Sequence, residues 1–131
     1  ENLYARHSIP YKHLEDFFLV FSVWDDKNMC LSWTDTCDWA ELLGLKMVPL
    51  AYSGEWNEPL IKHLTTTRIL PLSAPPNREP DEHEGYVIRW ADTFHFRKFG
   101  KAIAKYVRPN HVTTDDHWMR GPLVTNKLRS W

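Results

Sequence analysis

Two stretches in the second half of the chain decide the fold: Gly85-Tyr86-Val87-Ile88-Arg89-Trp90, and Ala102-Ile103-Ala104-Lys105-Tyr106-Val107-Arg108, joined by an aromatic and basic connection. Each sets polar residues among apolar and aromatic ones, which predicts two strands. Upstream, Phe17-Phe18-Leu19-Val20-Phe21-Ser22-Val23-Trp24 is apolar on both faces and ends at the turn Asp25-Asp26-Lys27-Asn28. That run predicts a buried strand in the middle of a sheet. Thr34 predicts the N-cap of a short helix whose Trp39, Leu42 and Leu43 share a face, with Gly44 at C′. Lys46 to Tyr52 returns as a strand. Asn57 predicts the cap of a second short helix through Leu64, with Pro59 in its first turn. Pro71, Pro75, Pro76 and Pro80 mark residues 71–82 as a surface loop. Thr114 predicts the cap of a last short helix over residues 115–119, and the tail to Trp131 carries no pattern. Four or five strands and three short helices in mixed order predict an α+β fold with antiparallel-rich sheets.

At 131 residues and 15.5 kDa the chain is one domain or less. It is 43% hydrophobic and 25% charged, with no apolar run near the roughly 20 residues that a membrane span needs. A net charge of −1 excludes a uniformly basic nucleic-acid binder. The charge is unevenly placed. Residues 1–60 hold ten acids and four bases, whereas residues 61–131 hold seven acids and twelve bases. No acid occurs from Thr93 to Thr114, a stretch that carries Arg97, Lys98, Lys101, Lys105 and Arg108 and suits an anionic partner such as a phosphate. Two cysteines, Cys30 and Cys37, are too few for a disulfide framework and point to a reducing compartment, read here as cytoplasmic. The start, at Glu1 without Met, has no basic or apolar leader pattern and reads as sequence cut from something longer.

The sharpest constellation is Glu84 beside Gly85, with Lys105 and Arg108 on the neighbouring strand-like segment. A carboxylate at the mouth of a strand can hold a metal ion while the cations hold a phosphate. The competing reading is a strand with charged ends. Arg97, Lys98 and Lys101, beside Phe94, Phe96 and Phe99, fit either a solvated basic face or contact with a nucleic-acid backbone. His111 and His117 invite a zinc site, but Cys30 and Cys37 lack paired C-x-x-C spacing. Either cysteine as a nucleophile conflicts with its apolar surroundings, where a thiol is usually inert. Trp24, Trp33 and Trp39 sit in patterns that predict burial.

Glu84-Gly85-Tyr86-Val87-Ile88-Arg89 resembles motif IV of the covalent nucleotidyltransferases, the superfamily of ATP-dependent DNA ligases, RNA ligases and mRNA capping enzymes, and Ala104-Lys105-Tyr106-Val107-Arg108 resembles their motif V. Glu1-Asn2-Leu3-Tyr4-Ala5-Arg6-His7-Ser8-Ile9 resembles the motif III region of RNA ligases. Phe18 to Asp25 resembles motif IIIa. Together with Leu31-Ser32-Trp33 and residues 111–119, the pattern is similar to the RNA ligase domain family over nearly the whole chain. Motif IIIa and the histidine-rich end favour that family over a DNA ligase or capping-type enzyme. A degenerate nucleotide- or RNA-binding module is the non-enzymatic alternative.

The resemblance implies a partial nucleotidyltransferase (ATP-grasp-like ligase) domain that uses ATP and Mg²⁺ to join 5′-phosphate and 3′-hydroxyl RNA ends through enzyme-AMP and RNA-adenylate intermediates. It implies that Phe21 stacks on the adenine, that Glu1 contacts the ribose or orders the metal shell, and that Glu84 helps bind the metal. Lys105 rides on the α-phosphate and Arg108 supports it, so Glu84 and Lys105 carry the catalysis. The family's motif I, of the form Lys-x-Asp-Gly, supplies the lysine that becomes adenylated and precedes motif III; it does not occur in these 131 residues. The chain is therefore expected to be a fragment that is inactive alone. Motif V also departs from the usual two lysines at alternate positions, because Val107 stands two residues after Lys105. Strand alternation puts Val107 on the face of Lys105 and Arg108 on the other, unless a bulge re-aims it.

Overall fold

A computed structural model describes residues 1–66, 82–109 and 120–130. The predicted loop over residues 71–82, apart from Glu82, and the predicted helix after Thr114, with His111 and His117, lie outside the described residues. The element order is β1 (Leu19–Val20), β2 (Met29–Cys30), α1 (Trp33–Leu42), β3 (Lys46–Met47), α2 (Glu58–Thr66), β4 (Gly85–Arg89) and β5 (Phe94–His95). A 3-10 turn (Phe96–Lys98), α3 (Phe99–Ala102) and β6 (Ile103–Val107) complete it. The result is α+β with small sheets: β2–β5 and β4–β6 are antiparallel, and β1–β3 is parallel.

Strands β4 and β6 form one ribbon. Gly85 stands opposite Val107, Val87 opposite Lys105 and Arg89 opposite Ile103, in a ladder with no bulge. Gly85 is required by the close approach of the two backbones. A Cβ there would lie 1.9 Å from the Tyr106 carbonyl oxygen and 2.9 Å from the Val107 Cα.

The apolar run over residues 17–24 is flanked on both edges, as a central strand should be, but its ladder is shorter than predicted. Leu19 and Val20 pair with β3. On the other edge the Leu3 amide donates to the Phe17 carbonyl at 2.7 Å and Asn2 bridges to Phe18. Leu19 and Val20, which alternation turns to opposite faces, are both buried, while Phe18 and Phe21 on either side are exposed, so burial on both faces is confined to the two-residue strand. β3 ends after Met47 instead of reaching Tyr52. The Val48 amide still donates to the Val20 carbonyl at 2.9 Å, and Pro49 then has no N–H to give.

Helix α1 is capped by Ser32, not Thr34, because the Ser32 hydroxyl accepts from the Asp35 amide at 3.1 Å. Its buried face is Thr36 and Ala40. The predicted apolar face is turned outward, with Leu42 74% exposed and Trp39 and Leu43 also exposed. Gly44 ends the helix as predicted, at φ +68°, its amide bonding to the Glu41 carbonyl. Asn57 caps α2 through the Leu60 amide at 3.1 Å, and the helix continues two residues past Leu64.

Two small cores result. Leu3, Leu14 and Leu19 form one, with Tyr11, Phe17 and Val48 against it. Cys30, Phe94 and Ala102 form the other, with Trp24 and Ile103 against it. The tail that carries no sequence pattern is a structural partner: the Arg6 amide bonds to the Val124 carbonyl and the Leu14 amide to that of Lys127. Buried Asn126 fastens this seam, donating to the Leu3 carbonyl at 2.8 Å and accepting from the Tyr11 amide at 2.9 Å. Among the described residues no helix is long and apolar enough to cross a membrane.

Candidate functional site

The residues singled out by sequence fall into three places. The first is a groove of about 290 Å³ beside β1, lined by Glu1, Phe18, Phe21, Trp39 and Leu43 among others. Long-range pairing builds it. The backbone of Glu1 exchanges two hydrogen bonds with Leu19, at 2.6 and 3.0 Å, which fixes Glu1 against the strand. Phe21 lies two residues beyond Leu19 and is 48% exposed. An open apolar groove with an aromatic and a carboxylate residue in its lining suits a flat aromatic ligand with a polar attachment.

The second place is the mouth of the β4–β6 ribbon. Glu84 sits in a bend just before β4, where its Oε1 accepts a hydrogen bond from the Ser8 hydroxyl. The Glu84 carbonyl accepts from the Arg108 amide at 2.9 Å, which continues the ladder one residue past the strands. The Arg108 guanidinium donates to the Glu82 carboxylate at 2.7 Å and to the His83 carbonyl at 2.9 Å, and its side chain is only 13% exposed. It therefore pins the turn that carries Glu84. Because the register has no bulge, alternation sets Lys105, Val87 and Val107 on one face and Tyr86, Tyr106 and Arg108 on the other. Lys105 and Val87 are both exposed. The fold thus gathers Glu1 with Phe21, and Glu84 with Ser8 and Arg108, while Lys105 projects from the opposite face of the ribbon to Arg108.

The third place is the connection between β5 and β6. The His95 ring nitrogen Nδ1 accepts from the Arg97 amide at 3.0 Å and starts the 3-10 turn. Arg97, Lys98 and Lys101 are exposed.

Sequence reasoning passed over four residues. Ser8 lies inside the stretch quoted for motif III, yet only the fold shows that it reaches Glu84 across 76 positions. Arg89 ends motif IV and turns inward, donating to the Leu31 carbonyl at 2.7 Å with its guanidinium carbon 5.4 Å from the centre of the Phe94 ring. Burial pushes the Cys30 thiol above its ordinary value, and the Arg89 charge opposes the shift only in part. The Tyr86 ring stands 4.5 Å from that of His83; among the described residues its buried hydroxyl has no hydrogen-bond partner, and burial raises its pKa. Asn126 had no sequence signal. Among the described residues no group of three or more His, Cys, Asp or Glu side chains is placed to hold a metal ion.

A family model described as RNA ligase matches residues 1–107, a span that includes the groove, the Ser8–Glu84 contact and the whole β4–β6 ribbon. No curated protein and no solved structure matches the chain.

Proposed function

This chain belongs to the RNA ligase family, and we propose that it forms part of the nucleotidyltransferase domain of an ATP-dependent RNA ligase. The observation that supports this most is that Glu1 and Phe21, distant in sequence and assigned to one nucleotide by motif resemblance, line a single groove. The adenine stacks on Phe21 and the ribose lies toward Glu1. Phosphates leaving the groove need fixed cations and a divalent ion to offset the charge that builds during attack at the α-phosphate.

The residues fit Mg²⁺ better than a metal that needs a full protein cage, since Mg²⁺ is usually held by one or two carboxylates together with phosphates and water. Glu84 is that carboxylate: Ser8 holds one oxygen and leaves the other for the ion. Mg²⁺ bound there would polarise the phosphate oxygens. Lys105 is exposed on the ribbon face opposite to Arg108, and its compact positive charge serves the α-phosphate only where the phosphate chain reaches round the ribbon mouth from Glu84 to that face. Arg108 acts by holding the turn that presents Glu84 rather than by reaching outward. Residues 1–131 contain no Lys-x-Asp-Gly, so the adenylated lysine is contributed by a segment outside them, and the RNA-adenylate and joining steps require that segment.

Calorimetric titration with ATP and Mg²⁺ tests this directly. The 131-residue chain should bind ATP, Phe21→Ala should weaken binding by about tenfold, as expected for loss of one base stack, and Glu84→Ala should remove the Mg²⁺ dependence. Labelled ATP should leave no acid-labile adduct on the chain. Unchanged binding in Phe21→Ala overturns the groove assignment, and an adduct overturns the placing of the nucleophile elsewhere.

A further inference from the structure

The connection between β5 and β6 carries a surface that the nucleotide reading does not use. Phe96 is 59% exposed and Phe99 43% exposed, and their ring centres lie 5.6 Å apart. Trp24 supports both from beneath, stacked against Phe99 at 6.4 Å with 29° between the planes and edge-on to Phe96 at 5.9 Å. Arg97, Lys98 and Lys101 are interleaved with these rings and are exposed. The sequence has no acid from Thr93 to Thr114. The adjacent turn does bring Asp25 and Asp26 near, through the bond from the Phe96 amide to the Asn28 carbonyl. Asp25 directs its carboxylate back into that turn, accepting from the Lys27 and Met29 amides at 2.8 and 2.9 Å.

Exposed rings amid three exposed cations, in a stretch without an acid from Thr93 to Thr114, match the two requirements of a single-stranded nucleic acid: a π-face for each base and positive charge for the backbone. A duplex keeps its base faces stacked inside and offers nothing to such rings. Val23 lines the nucleotide groove and Trp24, the next residue along the chain, packs against Phe96 and Phe99. We infer that Phe96 and Phe99, flanked by Arg97, Lys98 and Lys101, dock an unpaired RNA strand, so that this ligase engages single-stranded ends in preference to nicked duplexes. The inference rests on the RNA ligase reading and adds the form of the substrate to it.

Fluorescence anisotropy of the full chain with a labelled oligoribonucleotide, free or annealed to its complement, provides the test. The free strand should bind at least about tenfold more tightly than the duplex. Phe96→Ala with Phe99→Ala should cost about tenfold per stacked base and leave the salt dependence in place. Lys98→Ala with Lys101→Ala should instead flatten the salt dependence. Because both rings pack on Trp24, Phe96→Leu serves as a second variant that keeps apolar bulk and removes the stacking face; it too should weaken the free strand. Equal affinity for duplex and free strand, or unchanged binding in Phe96→Leu, overturns the inference. So does a chain that sediments as a dimer and becomes monomeric in Phe96→Leu, since the rings would then be a contact between copies. ATP titrations on the same samples separate the two readings: ATP binding without RNA binding removes only the docking surface, and RNA binding through these rings without ATP binding removes only the nucleotide groove.

Discussion

Gly85→Ala should be among the most damaging single-methyl additions to the chain. The new Cβ would lie 1.9 Å from the Tyr106 carbonyl oxygen and 2.9 Å from the Val107 Cα, both backbone atoms that cannot rotate aside. Restoring ordinary contact requires the strands to part by roughly 1.5 Å at that rung. The neighbouring bond from the Arg108 amide to the Glu84 carbonyl, 2.9 Å long, would stretch past hydrogen-bonding range. Overpacking costs about 1–3 kcal/mol and a lost backbone bond about 1 kcal/mol, for a total of about 2–4 kcal/mol. With a urea slope of about 2 kcal/mol per M, the unfolding midpoint should fall by about 1–2 M. Gly100→Ala is the internal control. Apart from its own helix, none of the described residues comes within 4 Å of a Cβ at that site in α3, so alanine there should be neutral or should stabilise by up to about 1 kcal/mol. Equal midpoints for Gly85→Ala and the unsubstituted chain would refute the argument that backbone approach, and not loop flexibility, places glycine at 85.

Asn126→Ala should lower Tm by roughly 10 °C, because it strands the Leu3 carbonyl and the Tyr11 amide in the seam and costs about 3 kcal/mol; a thermal melt shifted by under about 2 °C would show that the seam is not held there. The raised thiol of Cys30 and hydroxyl of Tyr86 are neutral in the fold, whereas the unfolded chain ionises them near the ordinary 9.0 and 10.0. Their contribution is full below about pH 9 and is lost as pH rises through the higher folded values, so urea midpoints should fall as pH rises above about 9. A flat profile over that range would remove both groups from the account. Ser8→Ala should raise the Mg²⁺ concentration needed for half-maximal ATP binding by about tenfold, with Ser8→Thr restoring it, as for other residues that orient a metal-binding carboxylate; an unchanged Mg²⁺ requirement would mean that Ser8 does not position Glu84.

What the sequence made legible was local. The ribbon was readable because both strands are written contiguously, and alternation alone placed Arg108 on the other face from Lys105, where the bulge-free register puts it. Asn57 and Gly44 were readable because a cap and a left-handed C′ position are chosen by one residue's chemistry. The cap of α1 falls among neighbours of similar chemistry, Ser32 and Thr34, and the structure selects Ser32. Ser32 and Asp35 have the three-residue spacing of a cap and its first-turn acid, and that spacing distinguishes Ser32 from Thr34. The face of α1 failed for a different reason. Periodicity reports which residues lie together but not which way they point, and small Thr36 and Ala40 allow the inward approach that Trp39 and Leu42 would block.

The candidate site divides along the same line. Glu84, Lys105 and Phe21 were nameable from short motifs, but what connects the parts of the site is non-local: the Glu1 pairing with Leu19 spans 18 positions, the Ser8 bond to Glu84 spans 76 and the Asn126 bond to Leu3 spans 123. These contacts all involve the first eight residues, which lie between β1, the ribbon mouth and the C-terminal seam. Loop-closure entropy grows only slowly with length, so distant contacts cost little more than near ones once the core forms, and no local pattern is needed to encode them. The stretch that resembles motif III therefore has a structural role as well as the proposed ligand-binding one. Its backbone sets Phe21 relative to Glu1, and its Ser8 sets the carboxylate of Glu84, so a displacement of residues 1–8 should disturb the groove and the ribbon mouth together.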